Sequence, residues 1–268
     1  MFNLLRMDLY RMKRSRSAYI CLGILFLTTL AMYMLLWLLA TPQGQETAIR
    51  IGMMTAEEIP ESLSMLEGMD TLEMFRQINL EGGVYCVTFG ICVILFVCAD
   101  YRSGFLKNIM ALYQNRWAYV GSKLMAAAFL NLLYLISNYI FVVLLNALFG
   151  NMVPWAGLGD VLFYTAWVWI LTTAFAGLMI LISVCTRSTA AGTVAAVFLG
   201  GGSVVALLQQ LLSLFHAGDW LDYSIYMLLS TGPSRYTAYQ DLKVFAVGAG
   251  FLALYPALTG LVLRKQDI

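Results

Sequence analysis

Long apolar runs dominate the chain, and short polar segments separate them. A helix that crosses a bilayer needs about 20 mostly apolar residues. Six stretches meet this: 17–40, 82–99, 119–149, 161–185, 190–214 and 242–263. The first run is longer than a signal-peptide core, and no small-residue cleavage site follows it, so it is expected to stay as a membrane helix. Tyr255-Pro256 is expected to kink the last.

The segments between these runs carry their own periodicity. Residues 1–16 are basic, with Phe2, Leu5, Leu9 and Met12 near one helical face. They predict an amphipathic helix lying in the interface. Residues 100–123 leave the second run at Asp100, pass Gly104, and place Phe105, Ile109 and Leu112 on one face of a short helix. Such a helix can rest on headgroups or dock in a groove of a soluble partner. Residues 41–81 form an acidic loop containing Met53, Met54, Met65, Met69 and Met74. Within it Leu63, Leu66, Met69 and Leu72 recur at helical spacing, with Phe75 beside them. Two readings stand: an adaptable Met-rich surface for an amphipathic cargo, or packing against the tops of the spans. Residues 220–229 are aromatic and aliphatic and stop at Gly232-Pro233.

Composition sharpens this pattern. Of 268 residues, 61% are hydrophobic and only 12% charged, with a mean hydropathy of +0.78. Soluble domains carry about a quarter charged residues, so the chain is read as a single polytopic membrane domain over 1–268. The net charge is only +1, but it is unevenly divided. Alternate loops and the two ends hold Arg6, Arg11, Lys13, Arg14, Arg16, Arg102, Lys107, Arg116, Lys123, Arg187, Arg264 and Lys265, against Asp8, Asp100 and Asp267. The other loops hold Arg50, Arg76, Arg235 and Lys243 against twelve acids. Cytoplasmic loops are enriched in Lys and Arg, so both termini are expected in the cytoplasm. Trp37, Trp117, Trp155 and Trp220 fall at run ends, as an interfacial belt would; Trp167 and Trp169 do not.

Few polar groups lie within the runs, and the charges sit at their ends. This disfavours a proton-driven carrier, which marks its path with intramembrane ionisable residues. No inverted repeat or pair of broken helices points to a secondary transporter. Asn131, Asn138 and Asn146 share a broad face of the third run; they can bond neighbouring helices or line a path. Gly192, Ala196 and Gly200 repeat every four residues, a small-residue stripe suited to close helix contact and a candidate subunit interface. Gly201-Gly202-Ser203 is loosely similar to a nucleophile motif, but the sole histidine, His216, lies beyond the fifth run. Gly200–Gly202 reads better as a close-packing or kink site.

Other chemistries find no support. The five cysteines make no metal spacing or disulfide framework. No Gly-Lys pair exists, so there is no phosphate-cradling P-loop. No global basic excess points to nucleic acid.

The 100–123 segment carries a resemblance. Asp100, Gly104, the Leu106-Lys107 pair, Arg116 and Lys123 follow an acidic, glycine, hydrophobic–basic, Arg and Lys order. In this the chain resembles the ABC-2 type transporter permeases, with Asp where Glu is usual and Phe105 where Thr is frequent. The basic amphipathic start, the long outer loop, the outer segment before the last run and the tail Arg264-Lys265-Gln266-Asp267-Ile268 agree with it along the whole length.

That resemblance implies an all-α fold of six transmembrane helices with an outer re-entrant hairpin before the last. The chain would be a permease subunit in a bacterial plasma membrane, pairing with a second copy or a paralogue. It would not be an enzyme itself, and it would bind no cofactor. ATP and Mg would sit in a separate ATP-binding-cassette subunit. Residues 102–112 would be the coupling helix. Asp100, Arg102, Gly104, Phe105, Leu106, Lys107, Ile109 and Arg116 would form the ATPase-coupling set, with Phe105, Leu106 and Ile109 as groove anchors. The turn at Arg187 and Ser188 is either a second ATPase contact or a simple helix cap. The expected cargo is an amphipathic peptide of toxin, antimicrobial or modulin type. Multidrug or lipid-like small molecules are the alternative. A sensory or immunity subunit that signals without transport is another, disfavoured by outer loops of only about 40 residues.

Overall fold

The computed structural model describes residues 2–52, 68–112, 116–214 and 218–265. Met53, Met54, Leu63, Met65 and Leu66 of the acidic loop, His216 and the tail 266–268 fall outside these residues, as does the side chain of Leu112.

The described residues are helical, with no strand among them. The elements are α1 (Phe2–Arg14), α2 (Arg16–Ala40), α3 (Pro42–Arg50), α4 (Thr71–Arg76, continued by a π-helical turn Gln77–Glu81), α5 (Val84–Arg102) and α6 (Phe105–Leu112). Then follow α7 (Arg116–Leu148), α8 (Leu158–Thr186), α9 (Thr189–Gly200), α10 (Ser203–Ser213), α11 (Ile225–Thr231) and α12 (Lys243–Lys265). Helices α2, α5, α7, α8 and α12 are each long and apolar enough to cross a membrane. The pair α9–α10 becomes a sixth if taken as one broken span, bent by 56°. This is an all-α polytopic membrane protein.

The fifth apolar run is therefore two helices. The break falls at Gly201-Gly202, where Gly202 takes a left-handed φ of +75°. A Cβ there would lie 2.1 Å from the Tyr226 ring. Gly83, also left-handed at +68°, packs so closely that a Cβ would lie 2.0 Å from the Gly200 carbonyl oxygen. Glycine is needed at both positions, for backbone conformation and for space. Pro256 lies within α12, which continues through it, although proline is tolerated best in a helix's first turn; α12 packs on α7 and α8.

Helices α5 and α8 form the centre, two-thirds buried, and α8 packs on α5, α7, α9 and α12. Helix α2 is only 17% buried within the chain, so most of its apolar surface faces outward. Many polar side chains inside the bundle find partners, as low-dielectric burial favours, although the buried hydroxyls of Tyr101 and Tyr164 have no hydrogen-bond partner among the described residues. Trp167 and Trp169, which did not fit an interfacial belt, donate their indole N–H groups to Pro233 O (3.1 Å) and Ala128 O (2.8 Å).

Candidate functional site

The ends of α1, α5, α7, α9 and α12 that carry most of the cations meet at one end of the bundle. Arg264 lies 5.5 Å over the Trp117 ring, Arg116 hydrogen-bonds the Leu263 carbonyl, and Arg102 Nη2 donates to Thr189 Oγ1 at 2.5 Å. The contacts bring both described chain ends to the end from which α6 projects.

At this end lies a buried cluster of four charges. Lys123 Nζ is 2.7 Å from Asp8 Oδ1 and 2.6 Å from Asp100 Oδ2. Arg11 Nη2 is 2.7 Å from Asp100 Oδ1. Asp8, Asp100 and Lys123 are fully buried, and Arg11 is 28% exposed. Ser122 Oγ donates to Asp8 Oδ2 at 3.0 Å, and Tyr119 O–H donates to Asp100 Oδ2 at 3.1 Å. Two carboxylates thus face two cations, and the cluster is neutral. Aromatic faces complete it: Lys123 Nζ sits 4.2 Å from the Phe96 ring centroid, and Arg11 Cζ sits 4.2 Å from that of Phe105. Cations at this range gain from the ring quadrupole, more so when desolvated.

The cluster joins three segments distant in sequence: α1, the end of α5 with the root of α6, and the first turns of α7. The chain reaches it because Leu4, Asp8 and Met12 recur every four residues on one face of α1 and are all buried. This buried face is rotated from the expected one, since Phe2 is 83% exposed and Leu5 and Leu9 are half-buried. Asp8 escaped the sequence reading for that reason. Its signal was visible: it is the one acid in an otherwise basic helix, aligned with two apolar residues at helical spacing.

Helix α6 begins after Gly104, whose φ is +68°. A Cβ there would meet nothing within 4 Å, so glycine is favoured for backbone conformation alone. Leu106 and Ile109 are buried within the chain, and Phe105 is half-buried beneath Arg11. This differs from the expectation that these three residues anchor in a partner's groove. An amphipathic pattern identifies an apolar face without saying what covers it. Here the chain itself covers Leu106 and Ile109. Among the described side chains at and beside α6, those left exposed are Arg102, Ser103, Lys107 and Asn108.

The turn after α8 places Arg187 in the left-handed region at φ 52°. Its guanidinium lies 5.9 Å over the Tyr101 ring, beside the α6 root. Ser188 caps α9, its Oγ accepting from Ala191 N at 3.4 Å.

The asparagines of α7 bond across helices. Asn131 Oδ1 accepts from Tyr85 O–H at 2.7 Å, while its Nδ2 reaches Thr172 and Thr173 at 2.8 and 2.9 Å. Asn138 Nδ2 donates to Asn79 Oδ1 at 2.7 Å, which also accepts from Thr29 at 2.9 Å. Asn146 accepts from Tyr33 O–H at 3.3 Å and donates to Val153 O at 3.0 Å. Asn79 sits inside the π-helical turn, a geometry frequent at functional positions, and nothing in the hydropathy pattern singled it out. Gly192, Ala196 and Gly200 face α5 of the same chain: a Cβ on Gly192 would lie 2.7 Å from the Ile94 side chain, and one on Gly200 would lie 3.0 Å from Val87 N. This stripe closes an intrachain contact, and the opposite face, with Val194, Val197 and Phe198, is exposed.

At the other end, Asp70 caps α4 by accepting from Leu72 N and Glu73 N at 3.0 and 2.9 Å. Arg235 Nη2 meets Asp70 Oδ2 at 2.6 Å, and Arg76 pairs with Glu73 and donates to Gly232 O at 3.1 Å. Hydrogen bonding to Asp70 raises the Arg235 pKa further. These links tie the residues before α5 to the Gly232–Arg235 loop. Among the described residues no group of three His, Cys, Asp or Glu could hold a metal ion. No protein-family model matches the chain, and no curated protein sequence matches it.

Proposed function

We propose that this chain is the permease subunit of an ATP-driven exporter of amphipathic peptides, working with a separate ATP-binding-cassette subunit that holds ATP and Mg. In this reading both termini and α6 are cytoplasmic, the membrane is a bacterial plasma membrane, and a second permease copy or paralogue completes the pathway. The segment 218–242 is then the outer hairpin before the last span.

The observation that carries the reading is the seating of α6. It is a short helix between two long apolar ones, with Leu106 and Ile109 covered by its own chain and Lys107 and Asn108 exposed. Its root is fastened to α1 and α7 by a buried ion cluster. A force applied to α6 is therefore passed to α5 and α7 rather than absorbed by a loose loop. Docking would rest on Arg102, Lys107 and Asn108 as polar contacts, with Phe105, Leu106 and Ile109 fixing the helix from beneath. The sparing use of charge in the apolar helices suits a cargo that partitions into membranes.

The test is reconstitution. Inverted vesicles holding the chain and its purified ATPase partner should accumulate an amphipathic helical peptide only with hydrolysable ATP. Stimulated ATPase activity without peptide movement would favour the signalling alternative instead.

A further inference from the structure

A groove of about 610 Å³ opens beside the ion cluster, between α1, α2 and α7. It arises because α1 is held across α7 by Asp8, Ser122 and Lys123, while the chain turns at Ser15 into α2. Tyr134 O–H bonds the Ala18 carbonyl at the floor, and Phe26 stacks on Phe141 at 4.8 Å farther along, so α2 and α7 are joined there. The floor is apolar, with buried Met12, Ala18 and Tyr134. The walls include exposed Phe129 and Leu133.

The rim has the opposite character. Lys13 lines it and is exposed. Tyr10, also lining it, carries the Arg14 guanidinium 4.8 Å over its ring. Tyr19 donates to the Lys13 carbonyl at 2.8 Å, which fixes the other side of the mouth. Arg16 is exposed next in sequence. The nearest acid on α1, Asp8, is already paired with Lys123. The mouth is thus cationic and aromatic, and the interior apolar.

We propose that the groove binds one anionic phospholipid, an acyl chain along Met12, Leu133 and Tyr134 and the headgroup on Lys13 and Arg14. The volume falls within the range of ordinary ligand sites. Tyrosines at a mouth of this kind match the headgroup level of a bilayer, and basic pockets between membrane helices favour anionic headgroups. A second copy docking through this same face in an isologous contact would set the two groups of cations against each other. The site does not depend on the transport reading.

Native mass spectrometry of the full chain, released from bilayers of equal phosphatidylglycerol and phosphatidylcholine, tests this. One retained lipid per chain is expected, enriched in phosphatidylglycerol on the order of tenfold, as two cations beside one headgroup warrant. Lys13→Gln with Arg14→Gln should bring the two lipids to near parity. Leu133→Trp should fill the groove and abolish retention, whereas Leu144→Trp, an exposed site on the same helix, should not. Equal retention of the two lipids by the unaltered chain, or retention unchanged in Leu133→Trp, would overturn the proposal. So would a dimer mass that disappears only in Leu133→Trp, since it would make the occupant a second copy.

Discussion

Lys123 bridges Asp8 and Asp100, at 2.7 and 2.6 Å, with all three side chains buried. Removing one member of a buried ion set leaves an uncompensated charge, at a cost of about 3–5 kcal/mol. Lys123→Met is therefore expected to lower the thermal unfolding midpoint of the detergent-solubilised protein strongly. Adding Asp8→Asn should recover part of that loss, because the pair shares one interaction. Strictly additive losses would show that the cluster contributes nothing as a unit.

Gly83 and Gly104 separate two reasons for glycine. Both have φ of +68°. At Gly83 a Cβ would strike the backbone of Gly200; at Gly104 it would meet open space. Gly104→Ala is expected to lose only the left-handed backbone preference, about 1–2 kcal/mol. Gly83→Ala should lose appreciably more, because the α5–α9 crossing must move. Circular dichroism melts of the two variants compare them directly, and equal losses would contradict the close crossing.

Asn138→Ala deletes its bonds to Asn79 and Thr29, while Asn79 keeps Thr29 as a partner. Hydrogen bonds between membrane helices contribute about 0.6–2 kcal/mol. Unfolding in sodium dodecyl sulfate should shift by an amount in that range. If Asn138 instead served chiefly as a pathway group, transport would fall with no change in unfolding.

Asp241 accepts from Ala238 N, Thr237 N and Thr237 Oγ1 at 2.8, 2.8 and 3.0 Å. These bonds favour the carboxylate, so its pKa is lowered from 3.8. A depressed folded pKa means the contribution is present above 3.8 and is lost as pH falls below it. Amide exchange at Thr237 and Ala238 should lose protection across that acidic window, and in Asp241→Asn that protection should not vary with pH. Protection lost near neutral pH would contradict the assignment.

Much of the fold was legible because hydropathy over about 20 residues is a strong, local signal. The predicted stretches lie within a few residues of α2, α5, α7, α8 and α12. The fifth differs because Gly201-Gly202 admits a bend that hydropathy averages away. The ion cluster was legible only in pieces: Asp100 and Lys123 stood out at run ends, but their meeting with Asp8 is a tertiary fact spanning more than a hundred residues. Leu106 and Ile109 teach the complementary lesson, since periodicity marked their face as apolar and the surrounding chain turned out to cover it.

The central claim concerns α6, and its exposed face offers the sharpest test. The tagged chain is purified from native membranes in mild detergent, with Lys107→Glu and Asn108→Glu as a reversed-charge variant and Lys243→Gln, an exposed residue at the opposite end of α12 from Arg264, as a control. The account predicts a stoichiometric ATP-binding-cassette subunit, identified by mass spectrometry and by ATP hydrolysis, with the unaltered chain and the control. It predicts loss of that subunit in the α6 variant while the unfolding midpoint is unchanged. Absence of any such ATPase from the unaltered chain, or its undiminished retention by the α6 variant, would contradict it.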